Sequence, residues 1–305
     1  MMWIQFVTYA SVLIAVVAML AKAFRYIKAP QNFRWELYPV PHEKGKAEYG
    51  GSYLEELDWW TKPRHSDMIR ELKEMMEEIF FLKGVFRNNK RVWVSSLPFH
   101  LGLYLCIGWL LLLLLGSLLE IFGVAIGLEA GVAGVMVHYL TVFTGYAGLI
   151  LTGLGAFGLF IWRLTDANQK AYNSFADYFN LLFFDAVIAV ALLAHIQADP
   201  DFTVLRGYVH SLVTFSAPTW NSGWLTAEIL MVSLLILYIP LTRMSHFVAK
   251  YFLYHSVRWS DEPNFKGGKI EQRLMTLLQQ KVSWSAPHIQ QGKPWTEVVK
   301  EMKHE

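Results

Sequence analysis

The sequence predicts an all-α integral membrane protein, a five-helix bundle with its N-terminus outside and its C-terminus in the cytoplasm. Three observations predict it. The 305 residues are 54% hydrophobic with a mean hydropathy of +0.30, and the apolar residues come in blocks. Five blocks approach or exceed the roughly 18 apolar residues that read as a membrane-crossing helix. Lys and Arg collect between alternate blocks: 12 in 26–92, two at 163–175 and nine after His246, against none in 123–134. Basic loops stay on the cytoplasmic side, so this alternation sets the orientation.

The first span, 3–23, has no basic residue before Lys22. A signal peptide would carry a charged start and a small-residue cleavage site, so the span is read as retained, within a segment 1–25. Residues 26–91 form a cytoplasmic insert. Its prolines and its Gly50-Gly51 pair predict extended loop and turn up to about Pro63. From Ser66 the pattern becomes helical, with Met68, Ile69, Leu72, Met75, Met76, Ile79 and Leu82 on one face and charges between them. This amphipathic helix either collars the bundle or docks a soluble partner.

Residues 92–247 hold the remaining four spans: 92–122, 132–162, 178–196 and 224–247, the last with Glu228 and Pro240. A glycine-rich turn, 123–134, follows the second span. A segment on the outer side, 197–222, contains a short helix near 205–213. Residues 248–305 are a basic, polar cytoplasmic tail.

The net charge of +2 gives no reason to expect a nucleic-acid partner. One cysteine, Cys106, excludes an intrachain disulfide, a C-x-x-C-H haem attachment and a four-cysteine iron–sulfur cluster. A redox centre would therefore use other ligands, histidine first. Six histidines (42, 65, 210, 255, 288, 304) fall in loops, the tail or the outer segment, and those on the cytoplasmic side are expected to be solvated. Four fall in spans. By depth, His100 and His246 form an inner pair, and His138 and His195 an outer pair. Two imidazoles at one level on different helices are what a bis-histidine haem needs. Each has a plainer alternative, a hydrogen-bonded core histidine or, for His246, a side chain reaching to the surface among Arg243 and Lys250. His210 is an alternative outer ligand. Glu228 and Asp185 are acids in spans. Glu228 is the leading candidate to accept protons from a quinol, with Glu120 a weaker one; the plainer reading is a local ion pair.

The segment Pro240-Leu241-Thr242-Arg243-Met244-Ser245-His246 and the stretch from Trp93 to His100 resemble the haem-ligating regions of the respiratory nitrate reductase gamma subunit, a membrane cytochrome b. The insert, with Arg34-Trp35-Glu36-Leu37-Tyr38-Pro39-Val40-Pro41-His42-Glu43 and Tyr49-Gly50-Gly51-Ser52, is more specifically similar to the DsrM branch, subunits of DsrMKJOP complexes with Hme and Tmc relatives. The resemblance covers about residues 1–260. It implies haem b, one or two per chain, with His100 and His246 on the inner one. The positions of that family's second histidines are Leu110 and Glu228 here. The outer haem is then absent, or held by His138 and His195.

The function this implies is electron exchange between the (mena)quinone pool and a cytoplasmic iron–sulfur, heterodisulfide-reductase-like subunit. The complex would include other membrane and periplasmic subunits, sit in the prokaryotic inner membrane among its lipids, and serve sulfite or disulfide reduction. One rival is a haem-free membrane anchor for a peripheral enzyme. Another is a small transporter using Glu228 and Asp185, which the lack of an internal repeat argues against.

Overall fold

The computed structural model describes residues 2–29 and 40–301. The insert motif from Arg34 to Pro39 and His304 therefore lie outside the described residues. Among those described the chain is all-helical, with isolated bridges but no strand. The helices are α1 (Met2–Ile27), α2 (Met68–Phe81), α3 (Lys83–Asn88), α4 (Lys90–Ile121), α5 (Val132–Thr165), α6 (Ala167–Tyr172), α7 (Phe175–Ala198), α8 (Thr203–Thr214), α9 (Gly223–Leu241), α10 (His246–Phe252), α11 (Lys269–Leu278) and α12 (Trp295–Glu301). Five of them, α1, α4, α5, α7 and α9, are long and apolar enough to cross a membrane, as the blocks predict. The chain divides into two compact units, Met1–Ala18 with Lys73–Ser245, and Met19–Leu72 with His246–Glu305.

In the first unit α4 and α5 form an antiparallel pair that packs through glycine. A Cβ at Gly102 would collide with the Thr152 amide nitrogen, and one at Gly155 with that of Phe99. A Cβ at Gly148 would stand 2.9 Å from the Cys106 amide nitrogen. Small residues let the backbones touch, which is how apolar helices associate where lipid offers no hydrophobic drive. Next, α7 packs on α5, α9 on α7, and the short α8 on α4. The N-terminal half of α1 is held by side-chain hydrogen bonds: Gln5 Nε2 donates to Ser211 O, Ser211 Oγ and Ser216 O, and Thr8 Oγ1 bonds Tyr208 Oη and Ser233 Oγ. Local sequence sets the helix starts. Asn89 accepts the Val92 amide at the head of α4, and Ser174 with Asp177 forms a capping box on α7.

The fifth span is shorter than the sequence suggests. It stops at Leu241, because Pro240 brings no amide hydrogen to the last turn and Thr242 turns to extended backbone (φ −118°, ψ −175°). His246 therefore opens a separate helix in the second unit and does not end the span.

The second unit is more ordered than a solvated insert and tail. Residues 40–67 are turns with two short 3-10 segments, as the prolines and glycines predict. Within the tail, Val282, Ile289 and Val298 form a small apolar core. His42 and His255, expected to be solvated, are ion-paired. His42 bridges Glu71 (3.1 Å) and Asp261 (3.0 Å), and His255 meets the other Glu71 oxygen at 3.0 Å. Arg64 also pairs with Asp261. Glu43 is buried, accepting from Ser52 Oγ and the Tyr53 amide.

Candidate functional site

The most enclosed polar group of the first unit lies where α7, α8 and α9 meet. His195 is fully buried and Glu228 is 1% exposed. His195 Nε2 lies 2.9 Å from Glu228 Oε1. On its other side, His195 Nδ1 faces the Asp199 carbonyl oxygen at 3.1 Å. A carbonyl can only accept, so Nδ1 carries a hydrogen, and one proton is left to sit between Nε2 and Oε1. The Asp199 carboxylate, 1% exposed, takes the Val204 and Leu205 amides, both at 2.8 Å, and so caps the start of α8. One Asp199 carboxylate oxygen is 3.8 Å from His195 Nδ1.

Aromatic rings close the group. The Phe202 ring centroid is 4.2 Å from that of His195, and the Trp109 centroid 5.7 Å. Both rings also crowd Gly145, where a Cβ would come within 2.7 Å of Phe202 and 2.9 Å of Trp109 Nε1. Phe202 holds φ +60°, a left-handed backbone that a bulky residue adopts only under constraint. Glu228 Oε2 and Trp109 Nε1 are buried without a hydrogen-bond partner among the described residues.

This geometry revises two expectations. Trp109 and Phe202 place His195 at the level of Gly145 on α5, whereas His138 lies seven residues, about 10 Å, further along that helix. The two histidines are not a pair at one depth. Both His195 nitrogens are engaged, and the Phe202 and Trp109 rings pack against its ring. His195 with His138 therefore does not fit a bis-histidine haem. His138 is buried instead on α5, its Nδ1 without a hydrogen-bond partner among the described residues. Glu228, expected to accept protons from a quinol or to pair locally, is buried and bound to His195. The physical reason is the same for both: a carboxylate inside an apolar bundle needs a partner, and the nearest imidazole supplies it. Of the lesser acids, Glu120 pairs with Arg206 Nε at 2.9 Å, and Asp185 is half-buried with Oδ2 lacking a hydrogen-bond partner among the described residues. His210, the alternative outer ligand, is half-buried on α8. Residues missed by the sequence reading are Asp199, Trp109 and Phe202. Only Asp199 left a signal, since it lies one helical turn from His195.

His100 and His246 fall in different units. On α4, His100 Nδ1 donates to the Ser96 carbonyl at 2.7 Å. A hydrogen bond of this kind orients a metal-ligating imidazole. In the second unit His246 lines a cavity of about 640 Å³, together with Lys250, Arg258, Arg273, Tyr26 and Phe252 among others. No acidic residue lines it among the described residues. No cluster of three or more His, Cys, Asp or Glu side chains able to hold a metal ion occurs among the described residues. No protein-family model, curated protein or solved structure matches the chain.

Proposed function

We propose that the chain is a membrane cytochrome b subunit that exchanges electrons between the (mena)quinone pool and a cytoplasmic iron–sulfur partner. The observation that carries the reading is the His246 cavity, with its cationic and aromatic walls and no acid among the described residues. Haem b, when bound, supplies one-electron transfer. The resemblance implies His246 and His100 as its ligands. Lys250, Arg258 and Arg273 would meet its carboxylates. The chain would hold one haem and not two, since His138 and His195 do not fit a second. The N-terminus outside, the prokaryotic inner membrane and a role in sulfite or disulfide reduction belong to the same reading. A quinol that loses two electrons also sheds two protons. Glu228 could take one of them only through His195, not by touching the quinol.

The second reading is a haem-free membrane anchor. The glycine-mediated backbone contact of α4 with α5 favours it, because it leaves no gap for a porphyrin between those helices where they touch. A reduced-minus-oxidised visible spectrum of the purified chain, with haem counted per polypeptide, separates the two. The expected result is one b-type haem, lost in His100→Ala and His246→Ala and kept in His138→Ala. No haem, in cells able to make it, would establish the anchor; two would restore the outer pair.

A further inference from the structure

We propose that His195, Glu228 and Asp199 form a closed proton-binding site, with Phe202 as its cover. The hydrogen-bond inventory sets the proton count. Nδ1 keeps its hydrogen because it faces a carbonyl oxygen, and one proton lies between Nε2 and Glu228 Oε1. With that single proton, imidazole and carboxyl together are neutral. Losing it would set a buried carboxylate against an imidazole lone pair, which is strongly unfavourable. Gaining a second gives an imidazolium beside a neutral carboxylic acid. The countercharge for that state is already in place, because the Asp199 carboxylate stands 3.8 Å from Nδ1. The group therefore takes up one proton and passes from net negative to neutral.

The other charged or titratable groups at this end of the unit are few. Arg206 of α8 is bound to Glu120 of α4. Asp201, before α8, has His138 of α5 within electrostatic reach. None of these hydrogen-bonds to His195 or Glu228. The unpartnered Glu228 Oε2 and Trp109 Nε1 are two further polar atoms at the same place. Closure rests on Phe202, which is fully buried, left-handed in backbone, and attached through its own turn to Asp199: the Phe202 amide donates to the Asp199 carbonyl at 3.2 Å. The carbonyl that fixes His195 Nδ1 thus also fixes the cover.

The test is an infrared titration of the full chain in detergent or lipid, across the range in which imidazoles and carboxylates titrate. Acidification should raise an imidazolium or a carboxylic-acid band by one proton. His195→Asn should abolish the change, and Asp185→Asn should leave it. In heavy water, Phe202→Ala should speed exchange of the band by about tenfold or more, because the cover no longer has to open; this variant leaves the pair intact should His195→Asn fail to fold. No band change in the wild type, or a change that survives His195→Asn, would overturn the site. Unaltered exchange in Phe202→Ala would overturn the cover. None of these readouts needs haem, so failure here leaves the cytochrome reading standing.

Discussion

Arg206 shows how one charge is made tolerable inside this fold. The residue is 3% exposed; Nε meets Glu120, and one terminal nitrogen donates to the Ile126 carbonyl at 3.3 Å. Glu120→Ala would leave a buried guanidinium without its counter-ion. Because Glu120 is part-exposed, the expected cost is about 1–3 kcal/mol, read as a lower apparent melting temperature. His42 gives a pH prediction. Its hydrogen bond to Asp261 raises its pKa above the ordinary 6.5, against the opposing effect of burial. Burial likewise raises Glu43. For Asp261, burial alone would raise the carboxyl, but the hydrogen bond and charge of His42 and the charge of Arg64 lower it. A raised histidine stabilises fully below its unfolded pKa and loses that contribution as pH climbs through the folded value. The second unit should therefore loosen as pH rises from about 6.5. Hydrogen exchange of residues 40–72 should show this, and His42→Gln should flatten the dependence.

At the scale of the element, α4 and α5 make the sharpest forecast. Gly102→Val and Gly155→Val each push a side chain into the partner's backbone and should abolish recovery of folded protein. Gly108, with nothing within 4 Å, is the control: Gly108→Ala should be neutral or slightly stabilising, by up to about 1 kcal/mol. The spans themselves were legible because apolar length is a direct sequence signal; α8 was expected as a short surface helix over 205–213, but Leu205, Arg206, Tyr208 and Ser211 are buried. The glycine register was not, since sequence shows small residues without showing which partner residue each one meets. Depth misled at His195 for a related reason. Counting residues from a helix end ignores how far two antiparallel helices are shifted, and here α7 and α5 are offset enough to part it from His138. His246 was misplaced because the break after Pro240 is only one extended residue, Thr242, before helix resumes.

For the whole molecule, the insert as far as Leu72 and the tail belong to one unit, which composition alone did not suggest. Their union depends on pairs between distant segments, Arg64 and His42 with Asp261, and His255 with Glu71. A chain truncated after Arg258 lacks Asp261. Its insert should be cut by protease markedly faster than in the full chain, with cleavage sites mapped by mass spectrometry.

The hydrogen bonds of α1 also bear on how such a protein is made. Gln5 finds its partners 206 and 211 residues later, and Thr8 finds Ser233 after 225. Translation at a few to twenty residues per second puts roughly ten to forty seconds between the emergence of these groups. During that interval Gln5 and Thr8 wait in an apolar phase with their hydrogen-bonding capacity unmet, or are sheltered by the insertion machinery. Helix α1 is thus fastened only once α8 and α9 have emerged behind it.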